Sequence, residues 1–253
     1  MINERAFASA FHDFWRELLP LLTPSCVHIL STGHEVVLSN EAGEALPPVT
    51  VRDKSRDSAV VSEFAYHLAH AAMSHSMTIL DTTRNAEIFD TAQTKAIDLV
   101  NEYEGKIDFA DTTLNTAEIE EGIELAQRYE AFVRHESQSG QVQFSVPIPG
   151  AGFMPACNAD MAIGDYLVEV KTVKRSLAGK DIRQLIIYLA LSAASGGPIW
   201  THAGFLNPRR STFHKYRTTE LIKIMSGGKS VVDVFGSFSD FVCSSDVQLD
   251  TAF

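Results

Sequence analysis

The chain has 253 residues, 45% hydrophobic and 21% charged, which excludes collagen-like, disordered and coiled-coil classes and leaves room for a sizeable core. The formal net charge is −11, from 32 acidic and 21 basic residues, and a uniformly acidic surface would repel duplex DNA. That average hides an asymmetry: residues 1–170 sum to −16, residues 171–230 to +9 and residues 231–253 to −4.

In chain order, residues 3–22 predict an amphipathic helix stopped near Pro20, not a signal peptide. Residues 26–51 predict a hairpin built on the CVHIL and HEVVL runs and broken at Pro47-Pro48. Helices follow at 57–80 and at 88–104, the second ended by Gly105. A strong helix is expected over 116–136, opened by Thr116, with Ile119, Ile123, Ala126, Tyr129 and Val133 on its apolar face. Three strands are then expected in a row, at 141–148, 158–164 and 165–174. A helix over 181–195 has Asp181 as its N-cap and Gly196-Gly197 as its stop. Strands at 198–208 and 211–217, a helix near 218–226 and a VVDVF strand at 231–235 complete the reading. The order α-β-β-β-α-β from 116 to 208 implies an α/β fold, with a mixed central sheet flanked by helices. Residues 1–115 read as an α-rich N-terminal extension and 116–253 as the main domain.

No run of 18 apolar residues exists, so no membrane span is expected. Cys26, Cys157 and Cys243 are far apart and odd in number, against a disulfide framework, a zinc ribbon or an iron–sulfur cluster. A cytoplasmic location is the simplest expectation.

The chemistry concentrates at Asp160 and at Glu169-Val170-Lys171. Side chains alternate along a strand, so Glu169 and Lys171 share one face while Val168 and Val170 share the other. A tight turn near Gly164-Asp165 would bring Asp160 beside Glu169. Two converging carboxylates suit a hard cation such as Mg²⁺ or Mn²⁺. A lysine two residues on can orient or deprotonate a water, or steady charge on a phosphate. Glu130 falls on the apolar stripe of the 116–136 helix and needs a partner there, whereas Glu124 should face solvent. The competing reading of Glu169 and Lys171 is a structural ion pair on a solvent-facing sheet.

These residues, in this order, resemble the PD-(D/E)XK nuclease superfamily, with Glu130, Asp160, Glu169 and Lys171 at the motif positions. Gln184 and Tyr188, a Q-x-x-x-Y element on one face of the next helix, resemble its RecB-like branch. The likeness covers about residues 116–217. Ala159 stands where the superfamily name has proline, and Cys157 where RecB-like members often have glycine. The resemblance implies a restriction-endonuclease-like core and metal-dependent hydrolysis of DNA. Asp160, Glu169 and the Val170 carbonyl would hold Mg²⁺ or Mn²⁺, Glu130 a second ion or its water, and Lys171 the nucleophilic water. Gln184 and Tyr188 would reach toward the substrate strand, or else belong to an ordinary amphipathic helix. By family analogy such an enzyme serves recombination, repair or phage–host conflict.

Around this centre, Lys174, Arg175, Lys180, Arg183, Arg209 and Arg210 are the expected phosphate contacts on single- or double-stranded DNA. The rival reading is a basic face paired with the acidic part of the chain. Phe213, His214 and Tyr216 offer a stacking surface to a single strand, or pack into the core. Glu63, His67 and His70 share a helix face and read as a zinc candidate or as surface histidines. Gly228-Lys229-Ser230 ends like a P-loop but lacks the first glycine, so an ATP-driven step would require a partner ATPase or helicase chain. A homo-oligomer is a further expected assembly. The alternatives to a nuclease are an inactive nucleic-acid-binding or assembly subunit with the same fold, and a phosphoesterase acting on a smaller nucleotide.

Overall fold

A computed structural model describes residues 2–53, 58–104, 113–136 and 140–244. A six-stranded mixed sheet lies between two helical layers. Its strands are β1 (Glu35–Val37), β2 (Val142–Ile148), β3 (Cys157–Ile163), β4 (Tyr166–Val170), β5 (His202–Asn207) and β6 (Thr212–Arg217). They are ordered β1-β6-β5-β4-β3-β2, with β4–β5 parallel and every other pair antiparallel. The parallel pair needs a crossover, which α8 (Gly179–Ala194) provides. Among the described residues, no helix is long and apolar enough to cross a membrane.

One layer holds α1 (Glu4–Ser9), α2 (His12–Leu18), α3 (Pro24–Gly33), α8, α9 (Thr218–Ser226) and α10 (Val231–Cys243). Phe7, Trp15, Ile186, Leu189, Phe205 and Phe238 close its core. The opposite layer holds α4 (Ser58–Ser74), α5 (Ile79–Arg84), α6 (Ala86–Glu104) and α7 (Thr116–Glu136). There Phe64, Leu68, Phe132, Met161, Val168 and Phe213 pack together. Residues on both sides of position 115 therefore share both cores, and β1 joins the sheet through β6.

Several local expectations change. The first predicted helix is two, because Phe11 adopts a left-handed backbone (φ 51°) between α1 and α2. CVHIL is helical rather than extended: Thr23 Oγ1 accepts a hydrogen bond from the Cys26 amide and Pro24 occupies the first helical turn. Of the expected hairpin, only Glu35–Val37 is a named strand, with an isolated bridge between Ser39 and Ala45. VVDVF begins helix α10, since Ser230 and Asp233 form a reciprocal capping box and Val234, Phe238 and Val242 recur at four-residue spacing. A helix thus follows Gly228-Lys229-Ser230, but α9 rather than a strand precedes it. The N-cap of α8 is Ala178; Asp181, three residues on, accepts its amide at 2.8 Å. The helix end expected at Gly105 lies outside the described residues.

Helix α7 spans the expected residues with its buried face rotated. Leu125, Ala126, Tyr129 and Phe132 are fully buried, whereas Ile119, Ile123 and Val133 are only partly covered. Gly122 permits close approach of α4, because a Cβ there would stand 2.4 Å from the Phe64 ring. The rotation also buries Glu121, whose Oε1 lies 2.6 Å from the Arg209 guanidinium, both side chains almost wholly excluded from solvent. Glu121 Oε2 accepts the Arg52 amide at 2.6 Å. Removing one partner of such a pair leaves an uncompensated charge. Glu121→Ala should destabilise the fold by about 3–5 kcal/mol in urea denaturation, and Glu121→Leu with Arg209→Met should recover much of the loss.

Candidate functional site

The β3–β4 hairpin builds the site. Gly164, at φ 58°, supplies the turn a side chain would resist, and the ladder pairs Ile163 with Tyr166 and Met161 with Val168. One further step would set Asp160 opposite Glu169. The Val170 amide turns to the Asp160 side chain, donating to Oδ2 at 2.6 Å. Glu169 lies on the sheet face that α8 covers. Its Oε1 accepts from Lys171 Nζ at 2.8 Å, and the same ammonium donates to Gln184 Oε1 at 2.8 Å. Gln184 Nε2 donates to the Tyr188 hydroxyl at 2.7 Å, continuing the chain along α8. Asp160, Glu169, Lys171, Gln184 and Tyr188, separated by up to 28 positions, are thus brought together.

The pair Glu169–Lys171 does not sit on a solvent-facing sheet. Glu169 is buried, and its Oε2 has no hydrogen-bond partner among the described residues. Such an atom needs compensation, because a carboxylate oxygen without a donor or cation is costly. Burial pushes the Glu169 carboxyl well above the ordinary glutamate value; the Asp160 charge adds to the shift and Lys171 opposes it. Desolvation likewise raises the partly exposed Asp160, offset by the Val170 amide, Lys171 and Arg5, while Glu63 pushes it further up. Burial and the charge of Glu169 hold the Tyr188 phenol protonated.

Glu130 does not join this group. It reaches the start of α5, where its Oε1 accepts from the Ile79 amide at 3.4 Å. The preceding residue, Tyr129, faces the site and feels the charges of Asp160 and Glu63, because one step along a helix turns the side chain by about 100°. The third acid bearing on Asp160 is Glu63, from α4. The sequence marks Glu63 only by its spacing from His67 and His70. His70 stacks on Phe144 with ring centroids 5.0 Å apart, and His67 Nε2 is buried without a hydrogen-bond partner among the described residues. Glu124 is not simply solvated: it pairs with Arg52 and Arg128, each at 3.1 Å.

Arg5 was also missed. The side chain is mostly exposed, and although partial desolvation disfavours its charge, Glu169, Asp160, Tyr188 and Glu4 hold its pKa above the ordinary arginine value. Nothing in the periodicity of residues 3–22 marks it, since only the packing of α1 on α8 carries it to the site.

Most of the expected basic contacts are engaged internally. Arg209 is buried against Glu121, and Arg210 donates to Glu35 at 2.8 Å. Arg175 forks onto Asp181 at 2.5 and 3.0 Å. Arg183 donates to the Ala8 carbonyl at 3.2 Å, its guanidinium 5.8 Å from the Trp15 ring centroid. Lys174, before α8, and Lys180, in its first turn, are exposed. Phe213, His214 and Tyr216 are buried; His214 contacts the Ser31 carbonyl and Tyr216 donates to that of Leu30, which ties β6 to α3 instead of to a nucleotide.

Among the described residues, no group of three or more His, Cys, Asp or Glu side chains is arranged to hold a metal ion. Asp160 and Glu169 are the hard-oxygen groups that could hold a cation, and Glu169 Oε2 has no hydrogen-bond partner among the described residues. No family model, curated protein or solved structure matches this chain.

Burial, with the nearby charge of Lys95 and His70, depresses the His67 pKa to about 4. A histidine held neutral in the fold binds protons more readily when unfolded, so stability is full above the ordinary histidine value of 6.5 and declines as pH falls toward 4. Melting temperatures across that window should fall less steeply in His67→Gln than in wild type.

Proposed function

We propose that this chain is a divalent-metal-dependent nuclease that hydrolyses phosphodiester bonds of DNA, with Mg²⁺ or Mn²⁺ as cofactor. The observation that carries the reading is the convergence of Asp160 and Glu169 beside a lysine held by both Glu169 and Gln184. The resemblance of Asp160, Glu169-Val170-Lys171 and Gln184-x-x-x-Tyr188 to the PD-(D/E)XK superfamily and its RecB-like branch supports it. So does the order α7-β2-β3-β4-α8-β5, which has the sequence of elements that such a core requires.

A divalent ion held by Asp160 and Glu169 would supply Lewis-acid stabilisation of charge on the phosphate. Lys171 stands beside that pair with donors fixed by Glu169 and Gln184, suited to hold a water or a phosphate oxygen. Tyr188 keeps the Gln184 amide turned so that its oxygen, not its nitrogen, faces Lys171. Arg5 adds positive charge at the opening. Lys174 and Lys180 are the exposed cations near α8 that suit phosphate backbone contacts. In this reading, Glu63 rather than Glu130 acts on the charge at Asp160 and tunes the cation site without ligating the ion.

An inactive subunit with a nuclease-like fold is the alternative. The hydrogen-bonded group of Glu169, Lys171 and Gln184, with Asp160 held beside it by the Val170 amide, favours catalysis. Digests of linear, circular, single- and double-stranded DNA with Mg²⁺, Mn²⁺ or EDTA separate the two: the nuclease cuts only with metal, the binding subunit never. Asp160→Ala and Lys171→Ala should fold and lower cleavage at least ~100-fold. Equal cleavage by wild type and both variants would refute the assignment.

The same digest distinguishes the two candidate third acids. Glu63→Gln should lower cleavage about 10–100-fold, as expected for a group that tunes a cation site, while Glu130→Gln stays near wild type.

A further inference from the structure

Strand β3 parts from both neighbours at a single residue. On one side, β2 pairs Phe144 with Met161 and Val146 with Ala159, but the intervening Ser145 and Asp160 do not pair. Ser145 adopts a left-handed backbone, φ 52°, which a serine seldom takes inside a strand. The Tyr66 hydroxyl fills the gap. It donates to the Asp160 carbonyl at 2.8 Å and accepts from the Ser145 amide at 3.0 Å, with Ser145 Oγ also 3.0 Å away. One phenol thus replaces a direct backbone hydrogen bond between the strands. On the other side, continuing the β3–β4 ladder would set Ala159 opposite Val170, yet the Val170 amide goes to Asp160 Oδ2.

We propose that Tyr66 is a positioning residue: its hydroxyl, inserted into the β2–β3 ladder, fixes the break at which Asp160 presents its carboxylate for a divalent cation. The inference rests on the metal-dependent reading above. Tyr66 lies one turn beyond Glu63 on α4, so the same helix contributes an acid to the site and holds the opposing strand apart. Burial lifts the phenol to about 12, so it remains a donor to the Asp160 carbonyl at neutral pH. A tyrosine suits the position because its rigid ring reaches from the helical layer into the sheet and ends in a group that both donates and accepts.

Calorimetric titration of the full chain with Mn²⁺ alone, for wild type, Tyr66→Phe and Asp160→Asn, tests the inference. Amide exchange at Val170 in metal-free protein gives a second readout. Wild type should bind Mn²⁺ and Asp160→Asn should not. Tyr66→Phe should bind about 10–100-fold more weakly, as for loss of other groups that orient a metal ligand. Its Val170 amide should exchange faster, while amides in the Met161–Val168 part of the ladder keep their protection. Wild-type affinity in Tyr66→Phe, beside lost binding in Asp160→Asn, overturns the role of Tyr66 and leaves the cation reading standing. Absence of Mn²⁺ binding by wild type overturns both. If Tyr66→Phe does not fold, Ser145→Gly and Ser145→Val decide. Glycine accepts the left-handed backbone and valine resists it, so the glycine variant should bind Mn²⁺ more tightly; equal affinities overturn the inference.

Discussion

The arrangement of this molecule turns on two carboxyl groups at one end of a sheet, Asp160 and Glu169, both pushed up by burial, with the charge of Asp160 raising Glu169 further. Neither could be held there by strand pairing alone. The Val170 amide steadies Asp160, and Lys171 steadies one oxygen of Glu169, in turn anchored by Gln184 and Tyr188 from α8. The other oxygen of Glu169 is left without a donor. Apolar residues at these positions would avoid that desolvation cost.

Both helical layers contribute to this end of the sheet. Helix α8 brings the glutamine and tyrosine from one side, while α4 brings Glu63 and Tyr66 from the other. Helix α1, packed on α8, carries Arg5 to the opening. The site therefore depends on segments from the first 70 residues as much as on the central motif, and the N-terminal part of the chain is not an appendage to it. Shared cores on both faces of the sheet hold these pieces in register.

The basic segment from 171 to 230 has two uses. Arg209, Arg210 and Lys215 pair with Glu121, Glu35 and Glu136, acids from the earlier, negative part of the chain. Their charges knit β5 and β6 to α7 and β1. Lys171 serves the site itself, and Lys174 and Lys180 stay exposed beside it. The charge asymmetry thus reflects complementarity within the fold.

Much of the architecture was legible in sequence because local patterns carry it. The 3.6-residue period located α7, short runs located β2, β3 and β6, and Gly164 marked the turn between β3 and β4. Gln184 and Tyr188 followed from four-residue helical spacing. Where local signals competed, propensity misled: CVHIL and VVDVF look extended, but Thr23 and Ser230 cap helices there. Other features were decided only by tertiary packing. The rotation of α7 that buries Glu121 and sends Glu130 to α5, the pairing of Arg209, and the arrival of Arg5, Glu63 and Tyr66 at the site all join residues distant in sequence. A one-dimensional pattern specifies which faces are apolar; it does not specify which distant face, or which opposite charge, each will meet.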